Sequence, residues 1–356
     1  MNTKMTVAII FGGVTSEHEV SLKSAASVLR NLSSERYDVI KLGITKRGYW
    51  FETSAEPEAI ETGEWENSPS NVSAFISPDR SVHGIVRMLP NGRHKSVCVD
   101  AVFPVMHGRN GEDGTIQGLF QLAGIPFVGC DLLSSAVCMD KAVANTILDN
   151  FGILRAPWAL ITDSQRSSLD SLAAEWESRF GYPMFVKPAN AGSSVGISKA
   201  HDRAELLDAV ELAFKHDRKV LIERNVAGKE LEVSVLGNDD PIASLVGEIL
   251  SANEFYDYDA KYFNTHSDTR IPADITPEQQ AYIQKTAVTA YRALGCAGLS
   301  RVDFLMDATT GKIYLNELNT IPGFTSISMY AKMFAASGIS YGELLDRLFA
   351  LALERD

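Results

Sequence analysis

The alternation of apolar, strand-like runs with helical patterns in the first third of the chain is the feature that most limits its fold. A helix is predicted over residues 17–32, and four strands are predicted over residues 7–11, 37–44, 97–105 and 125–128. Strands that alternate with helices form parallel sheets in α/β proteins. We therefore expect an N-terminal α/β domain with a Rossmann-like parallel sheet. Residues 54–81, which are rich in Glu, Ser, Pro and Asn, are predicted to form an irregular insertion.

The length of 356 residues indicates more than one domain, since a domain typically has roughly 150 residues. The pattern changes near residue 130, after which helices are predicted over residues 131–151 and 203–214, and strands over residues 184–188 and 220–225. It changes again near residue 227, after which a helix is predicted over residues 277–294, and strands over residues 231–236, 243–249, 298–305 and 312–318. We predict three domains, over residues 1–130, 131–227 and 228–356, in a fold that is α/β and in part α+β.

Charge and composition argue against several classes of function. The formal net charge of −12 is unsuited to a chain that coats nucleic acid or an anionic membrane. The four cysteines form no C-x-x-C pair, so they are interpreted as buried residues of a protein in a reducing compartment. No run approaches the roughly 18 apolar residues of a membrane span, and the apolar run near the N-terminus is interpreted as a first strand rather than a signal peptide. We expect a soluble, cytoplasmic protein.

The strongest local motif combines Arg301 and Asp303 with Glu317 and Asn319. The turn-rich sequence DATTGK separates the two apolar runs that carry them, so the runs are predicted to pair as a hairpin. A loop centred on residue 309 would place Asp303 opposite Leu315, and Arg301 would then lie opposite Glu317. Because side chains alternate with period two along a strand, all four project from one face. Their oxygens suit Mg²⁺ that bridges nucleotide phosphates; a solvent-facing strand pair joined by salt bridges is the alternative.

A glycine- and serine-rich loop, NAGSSVG, follows the predicted strand that carries Lys187. Such a loop can lay backbone N–H groups along a polyphosphate, although it lacks the G-x-x-x-x-G-K-[ST] order of a P-loop. Lys141, in the sequence MDK, would add a second cation to the same phosphates. A flexible surface loop and a solvated helix lysine are the alternatives.

Three further segments indicate a substrate site. Glu17 follows a Gly-Gly turn and is placed to bind a cation such as an ammonium group. The sequence HGRNGEDG, which begins at His107, follows an apolar strand at the edge where open α/β sheets bind ligands. Residues 251–267 carry five aromatic side chains without helical or strand periodicity, which favours a lid over a pocket. A capped helix start, a connecting loop and a disordered segment are the respective alternatives.

These motifs, in this order, resemble those of the D-alanine–D-alanine ligase family along nearly the whole chain, from GGVTSEHEVS to NELNTIPGFTSISM. The resemblance implies a three-domain ATP-grasp fold and the ATP-dependent ligation of two D-alanine molecules through an acyl phosphate, which supplies peptidoglycan precursor synthesis. It also implies two Mg²⁺ ions, with Mn²⁺ as a substitute, and a cytoplasmic homodimer that binds neither nucleic acid nor membrane.

The resemblance implies a role for each matching residue. Those near the reacting atoms are Glu17, Ser193, Tyr262, Arg301, Gly323 and Ser328. Further substrate contacts are His107, Lys261 and Met329. The nucleotide is bound by Lys141 and Lys187 at its phosphates and by Glu223 and Glu230 at adenine and ribose. The metal ligands are Asp303, Glu317 and Asn319.

Several alternatives remain at this point. The second substrate could be D-lactate or D-serine, although Lys261 and Tyr262 match the dipeptide-forming enzymes. Discrimination of D-serine is the least secure, because a pocket separates a methyl from a hydroxymethyl group by only about 1–3 kcal/mol. The chain could also be another ATP-grasp enzyme, or a sensor that binds nucleotide or amino acid without catalysis. Residues 50–96 are longer than in short family members, which leaves the dimer geometry open.

Overall fold

The computed structural model describes residues 4–89, 91–192, 195–250 and 268–355. These residues form a mixed α/β structure with three sheets. The first, seven-stranded sheet has the order β6-β5-β4-β3-β2-β1-β7. Its strands are β1 Met5–Gly12, β2 Tyr37–Ile44, β3 Trp50–Thr53, β4 Val72–Ile76, β5 Gly84–Met88, β6 His94–Cys98 and β7 Ala101–Val105. Its helices are α1 His18–Asn31, α2 Pro57–Glu61 and α3 Thr115–Ala123.

The first sheet is parallel only in its β2-β1-β7 part, and β3 to β6 extend it in antiparallel fashion. The strand predicted over residues 97–105 is wrong, because the chain breaks there into two strands. At the break, the side chain of Asp100 accepts a 2.7 Å hydrogen bond from Thr6 N. The strand predicted over residues 125–128 is likewise reduced to a single bridge between Phe127 and Val102.

The predicted irregular insertion over residues 54–81 is also wrong. These residues contain α2, a 3-10 helix over Glu64–Asn67 and strand β4. Trp65 is completely buried and packs edge-on against Phe11, with 5.1 Å between the ring centroids. A Cβ atom at Gly43 would lie 2.3 Å from the Trp65 ring, so this glycine makes room for the indole. One buried aromatic side chain therefore anchors a polar segment on the sheet.

The second sheet is antiparallel and has the order β10-β9-β11-β8. Its strands are β8 Trp158–Thr162, β9 Met184–Pro188, β10 Ser198–Ala200 and β11 Lys219–Arg224. A 3-10 helix covers Asp163–Ser168, and the α-helices are α4 Leu132–Met139, α5 Lys141–Asn150, α6 Leu169–Phe180 and α7 Arg203–Ala213. The single helix predicted over residues 131–151 is interrupted at Asp140, which has extended backbone and caps α5 by accepting hydrogen bonds from Ala142 N and Val143 N.

The third sheet has the order β15-β14-β12-β16-β17, with β13 paired to β12. Its strands are β12 Gly228–Gly237, β13 Ile242–Ala243, β14 Gly247–Leu250, β15 Asp268–Arg270, β16 Gly298–Asp307 and β17 Ile313–Asn319. The helices are α8 Pro277–Ala293, α9 Met329–Ala336 and α10 Tyr341–Leu353. The strand predicted over residues 243–249 is divided into β13 and β14, because Ser244 turns its hydroxyl to Ser234 N at 3.0 Å.

Two features of the fold bear on the site. Helix α10 does not pack on the third sheet alone: its Leu344, Leu348 and Phe349 share one core with Ile9 and Phe103 of the first sheet. The strands of the first sheet end at residue 105, those of the second lie between residues 158 and 224, and those of the third begin at residue 228. The predicted domain boundaries near residues 130 and 227 stay predictions. Within the described residues, no helix is long and apolar enough to cross a membrane.

Candidate active site

A cavity of about 610 Å³ lies where the three sheets meet. The first sheet's region contributes Glu17, His107 and Glu112, and the second contributes Lys141, Lys187 and Glu223. From the third come Glu230, Glu232, Arg301, Asp303, Asn316, Glu317, Asn319 and Gly323. The fold therefore brings most of the predicted site residues into one space.

Lys187 and Glu223 form the centre of the nucleotide side of the cavity. Lys187 on β9 pairs with Leu221 of β11, two residues before Glu223, and Lys187 Nζ is 2.6 Å from Glu223 Oε2. Burial disfavours the lysine charge, but the carboxylates of Glu223, Glu317 and Glu230 outweigh burial and raise the pKa of Lys187. The lysine is therefore a permanent cation inside the cavity.

Lys141 is the first residue of α5, and the break at Asp140 aims it into the cavity. Its backbone N donates to Ala189 O at 3.0 Å, and its Nζ donates to Ala191 O at 2.9 Å. The same Nζ is 3.6 Å from Glu317 Oε2. Lys141 therefore joins the loop after β9 to the hairpin of the third sheet, as a second cation near Lys187.

The hairpin of β16 and β17 presents its four polar residues on one face, as predicted. Its register is different from the predicted one, because Arg301 pairs with Asn319 and Asp303 pairs with Glu317. Asp303 pairs with Glu317, but the next residue of β16, Phe304, pairs with Leu315. This β-bulge leaves one extra residue in β17 and shifts the register. The bulged stretch contains Asn316, whose Oδ1 lies 3.5 Å from Lys187 Nζ.

Arg301 and Asp303 are joined by two hydrogen bonds of 2.7 Å each. Asn319 Nδ2 donates to the same aspartate at 3.0 Å, and Glu232 Oε2 lies 3.3 Å from Arg301 Nε on the other side. Glu232 was not predicted as a site residue. Its position opposite Asp303 on the neighbouring strand β12 could not be inferred without the sheet register.

The hairpin supplies an oxygen-rich set of groups that fits a hard divalent cation. Asp303, Glu317 and Asn319 face one cavity from adjacent strands, with Asn319 in hydrogen-bond contact with Asp303. Carboxylate and amide oxygens are the donors that Mg²⁺ prefers. Among the residues that the structure describes, no group of three His, Cys, Asp or Glu side chains is arranged to hold a metal ion.

Glu17 lies just before helix α1, in the part of the cavity that the region of the first sheet lines, and is only 4% exposed. A Cβ atom at Gly108 would lie 1.9 Å from Glu17 Oε2, and one at Gly192 would lie 3.2 Å from the same oxygen. Glycine at position 108 also has a φ of +66°, in the left-handed region. The glycines of two predicted motifs therefore allow two loops to approach the carboxylate of a third.

Glu112 is a second buried carboxyl group at this end, and it was not predicted as a site residue. It accepts hydrogen bonds from Gly108 N at 2.7 Å and from Ile321 N at 3.2 Å. Burial and, after it, the charge of Glu17 raise the pKa of Glu112 to about 8. Two buried carboxyl groups, those of Glu17 and Glu112, therefore lie around Gly108.

His107 is buried beside them and is neutral. Burial lowers its pKa to about 4, although its bond to Ile321 acts in the opposite direction. Its Nδ1 lies 3.1 Å from Ile321 O, and its Nε2 lies 2.9 Å from Ser24 Oγ. His107 lines the cavity, as expected of a residue near a first substrate.

Gly323, Ser328 and Met329 lie together at the start of α9. A Cβ atom at Gly323 would be 2.8 Å from Ser328 Oγ, so any larger residue would have to displace this hydroxyl. Ser328 accepts a 3.0 Å hydrogen bond from Thr325 N. The side chain of Met329 packs with Ile249 and other apolar residues, so only its backbone is suited to a polar substrate contact.

Three predicted residues, Ser193, Lys261 and Tyr262, lie outside the described residues, as does the whole predicted lid over residues 251–267. Their roles stay predictions.

Comparisons with known proteins agree along the whole chain. A family model described as the D-ala D-ala ligase N-terminus matches residues 6–130, and one described as the D-ala D-ala ligase C-terminus matches residues 147–350.

Among curated relatives, D-alanine–D-alanine ligase of Acetivibrio thermocellus is 50% identical over 100% of this chain and 97% of its own length. The enzyme of the same name from Clostridium novyi is 49% identical over 99% of both chains. Among solved structures, the VanG D-Ala:D-Ser ligase of Enterococcus faecalis has a TM-score of 0.89 and 43% identity, and covers 98% of this chain and 100% of its own. The D-alanine–D-alanine ligase of Coxiella burnetii has a TM-score of 0.87 and 33% identity, with coverages of 99% and 94%.

Proposed function

Since this chain belongs to the D-alanine–D-alanine ligase family and has its ATP-grasp fold, we propose how its residues carry out the family's reaction. The protein joins two D-alanine molecules with ATP and so supplies peptidoglycan precursor synthesis. One observation carries the assignment of roles: two half-buried lysines, an oxygen-rich hairpin and the buried Glu17 line one cavity. The nucleotide and the amino acids can therefore meet in one enclosed space.

The reaction proceeds in two steps. The carboxylate of the first D-alanine attacks the γ-phosphorus of ATP, which gives D-alanyl phosphate and ADP. The amine of the second D-alanine, after losing a proton, attacks the acyl carbon to form a tetrahedral intermediate. Phosphate then leaves and the peptide bond remains. Each step moves negative charge within the cavity, so cations and N–H donors are needed at the places where charge builds up.

Lys141 and Lys187 bind the nucleotide phosphates. In the free protein they face carboxylates, since Lys187 Nζ is 2.6 Å from Glu223 and Lys141 Nζ is 3.6 Å from Glu317. Phosphate oxygens would take over these lysines, which leaves Glu223 to bind adenine or ribose together with Glu230.

Asp303, Glu317 and Asn319 hold the divalent metal that this ATP-dependent family uses, and we propose two Mg²⁺ ions, with Mn²⁺ as a substitute. When bound, the metal supplies positive charge to the phosphoryl group that is transferred. The protein's part is to keep the three oxygen donors on one face of the hairpin, which the pairing of Asp303 with Glu317 achieves.

Glu17 binds the ammonium group of the first D-alanine, because it is a buried acidic side chain that lines the cavity. His107, which is neutral, contacts the same substrate. Ser193 and Tyr262 complete a hydrogen-bonded group with Glu17, and Lys261 and Tyr262 belong to a lid that excludes water. Exclusion of water protects the acyl phosphate from hydrolysis.

Arg301 and the backbone N–H of Gly323 stabilise the oxyanion of the tetrahedral intermediate. Arg301 is held between Asp303 and Glu232, so its guanidinium is fixed in the cavity. Ser328 and the backbone at Met329 lie beside Gly323 and bind the carboxylate of the second D-alanine.

The test is ATP-dependent phosphate release by the purified protein with Mg²⁺, using D-alanine, L-alanine, D-serine and D-lactate, with the product mass measured each time. Release with D-alanine alone and a product of the mass of D-alanyl-D-alanine is the expected outcome. Release that requires D-serine or D-lactate as partner would replace the acceptor and disprove the interpretation of Tyr262. Absence of stimulation by any amino acid would disprove the substrate assignment.

Location and assembly are proposed from the same reaction. We propose a cytoplasmic enzyme, because the reaction consumes ATP and the buried Cys130, Cys138 and Cys296 are free thiols. We also propose a homodimer, since Leu122 and Leu133 expose 66% and 68% of their surface on the adjacent helices α3 and α4. Light scattering that gives the mass of one chain would contradict the dimer.

A further inference from the structure

The backbone around Gly323 is fastened by side chains from distant parts of the chain. Residues 321–324 follow β17 and have neither helical nor strand structure. The N–H and C=O groups of Ile321 and of Phe324 each have a side-chain partner. Such a loop would otherwise be free to move, because no ladder of backbone hydrogen bonds supports it.

The first two partners hold Ile321. Its N–H donates to Glu112 Oε1 at 3.2 Å, and its carbonyl oxygen lies 3.1 Å from His107 Nδ1. A carbonyl oxygen can only accept, so Nδ1 of His107 carries the proton and donates it. The other ring nitrogen, Nε2, is then an acceptor.

The other two partners hold Phe324. Its N–H donates to Ser24 Oγ at 3.2 Å, and its carbonyl oxygen accepts from Tyr341 Oη at 2.7 Å. Ser24 in turn donates its own proton to His107 Nε2 at 2.9 Å. A continuous series of hydrogen bonds therefore runs from Phe324 N–H through Ser24 and His107 to the carbonyl oxygen of Ile321.

Between these fixed points lie Pro322 and Gly323. Proline has no N–H, and in the described part of the chain no hydrogen bond is made by the N–H of Gly323. Gly323 lines the cavity together with Arg301, whereas neither Ser24 nor Tyr341 does. Both are buried or half-buried: Ser24 is completely buried in α1, and Tyr341 begins α10.

We propose that Ser24 and Tyr341 are positioning residues, which hold residues 321–324 so that the N–H of Gly323 points at the oxyanion of the tetrahedral intermediate. This inference rests on the proposed role of Gly323. Because the loop is held on both sides of Gly323 before substrate arrives, its donor needs no reorganisation during the reaction. Loss of one of these hydrogen bonds would displace the N–H group of Gly323. A displacement of about 1 Å can lower the rate on the order of 100-fold.

The test compares Ser24→Ala and Tyr341→Phe, each of which removes one hydroxyl group from outside the cavity. We expect kcat to fall by about 10- to 100-fold in Ser24→Ala, which breaks two hydrogen bonds of the series, and by about 3- to 10-fold in Tyr341→Phe. The KM for ATP should stay within about twofold of the wild-type value in both variants, because neither side chain lines the cavity. The KM for D-alanine should do so in Tyr341→Phe, which leaves the bond between Ser24 and His107 intact.

Matched controls are available. Ser234→Ala removes a completely buried hydroxyl group that donates to Tyr330 O at 3.2 Å, and Tyr37→Phe removes one that donates to Asp346 on α10 at 2.7 Å. Both cost a buried hydrogen bond without touching residues 321–324. We expect them to lower the melting temperature as the test variants do, and to leave kcat unchanged.

A second readout separates positioning from simple loss of structure. A phosphinic-acid analogue of D-alanyl-D-alanine has a tetrahedral phosphorus with an anionic oxygen in the place of the oxyanion. Its inhibition constant should rise in Ser24→Ala and Tyr341→Phe by the factor by which kcat/KM falls. In the two controls it should not change.

Wild-type kcat and unchanged analogue affinity in both test variants would overturn the proposal, as would equal losses in variants and controls. Should Ser24→Ala fail to fold, Tyr341→Phe alone decides between these outcomes. Failure of the proposed function is a different result: the wild-type protein itself would then form no dipeptide or would be insensitive to the analogue.

Discussion

The two ends of the cavity are built in different ways. At the nucleotide end, charged side chains face one another, as Lys187 faces Glu223 at 2.6 Å and Lys141 faces Glu317 at 3.6 Å. At the amino-acid end, the buried side chains mostly bond to the backbone of loops, as Glu112 and His107 do with Ile321. Charged pairs can exchange partners with an incoming polyphosphate, whereas bonds to the backbone define the shape of a loop.

This difference predicts which ligand each substitution should affect. Substitutions at the nucleotide end should alter metal and ATP dependence, because they remove a charge that the ligands need. Substitutions at the amino-acid end should alter D-alanine binding and the response to pH, because burial raises the pKa of Glu112 there. Four predictions test this separation.

The largest effect is expected for Glu317→Ala, which removes a proposed metal ligand. Turnover should fall on the order of 10³-fold, since charge on the transferred phosphoryl group loses its neutralisation. Phosphate release at saturating ATP and D-alanine, measured over a range of MgCl₂ concentrations, checks it. Glu343→Ala serves as control, because this exposed glutamate only pairs with Arg347 on α10. Wild-type turnover in Glu317→Ala would remove the metal assignment.

Glu17→Gln should act on the amino-acid end alone. Loss of a charge-assisted hydrogen bond to an ammonium group should raise the KM for D-alanine by about 10- to 100-fold and leave the KM for ATP unchanged. Steady-state kinetics with each substrate varied in turn measures both constants. Glu19→Gln, two residues away and paired with the exposed Lys46, is the control. A raised KM for ATP would contradict the separation of the two ends.

Stability should fall with rising pH above about 6.5, through Glu112. Its pKa is raised to about 8 in the folded protein, from an ordinary value of 4.5 in the unfolded chain, so the folded state binds the extra proton between these values. His107, with a pKa lowered to about 4 from 6.5, acts in the opposite direction below pH 6.5 and offsets Glu112 there. Only the loss due to Glu112 remains from pH 6.5 to 8.

The expected decrease in the free energy of unfolding over that window is roughly 1–2 kcal/mol. Urea denaturation at several pH values, without ligands, compares the wild-type protein with Glu112→Gln, which cannot titrate. The stability difference between the two should change by this amount between pH 6.5 and 8. Parallel curves would show that Glu112 is ionised in the free protein.

The smallest effect is expected for Asn316→Ala. Its amide oxygen lies 3.5 Å from Lys187 Nζ, in a contact that is weaker than that of Glu223. The KM for ATP should rise by about two- to fivefold, with the KM for D-alanine unchanged. Nucleotide titration of the free protein provides an independent measure. An effect on D-alanine instead would mean that the bulge, rather than the amide, is what the substitution disturbs.

The one-face arrangement of Arg301, Asp303, Glu317 and Asn319 could be predicted from the sequence because it depends only on the period-two alternation of a hairpin. The register could not be predicted, because the bulge in β17 adds a residue that nothing in the local sequence marks. The break between β6 and β7 likewise depends on Asp100 meeting Thr6, which lies 94 residues earlier.

The residues that sequence analysis missed owe their roles to partners far away in the chain. Glu112 bonds to Ile321 N, 209 residues later, and Glu232 reaches Arg301 only because β12 and β16 are neighbours. The acidic HGRNGEDG motif was found, but nothing in its composition distinguishes Glu112 from a surface acid. Conversely, Lys141 was found from its motif, while its contact with Ala191 required the break at Asp140.

The packing of α10 has a consequence for the order of folding. Phe349 of this helix lies 5.1 Å from Tyr37 and 6.2 Å from Phe103, measured between ring centroids, so strands made early are completed by a segment made late. Because the ribosome synthesises the chain from its N-terminus, part of the apolar surface of the first sheet stays exposed until residues 341–353 emerge. Contacts of such long sequence separation slow folding and expose surface to aggregation. We expect the nascent first sheet to bind chaperones until α10 arrives.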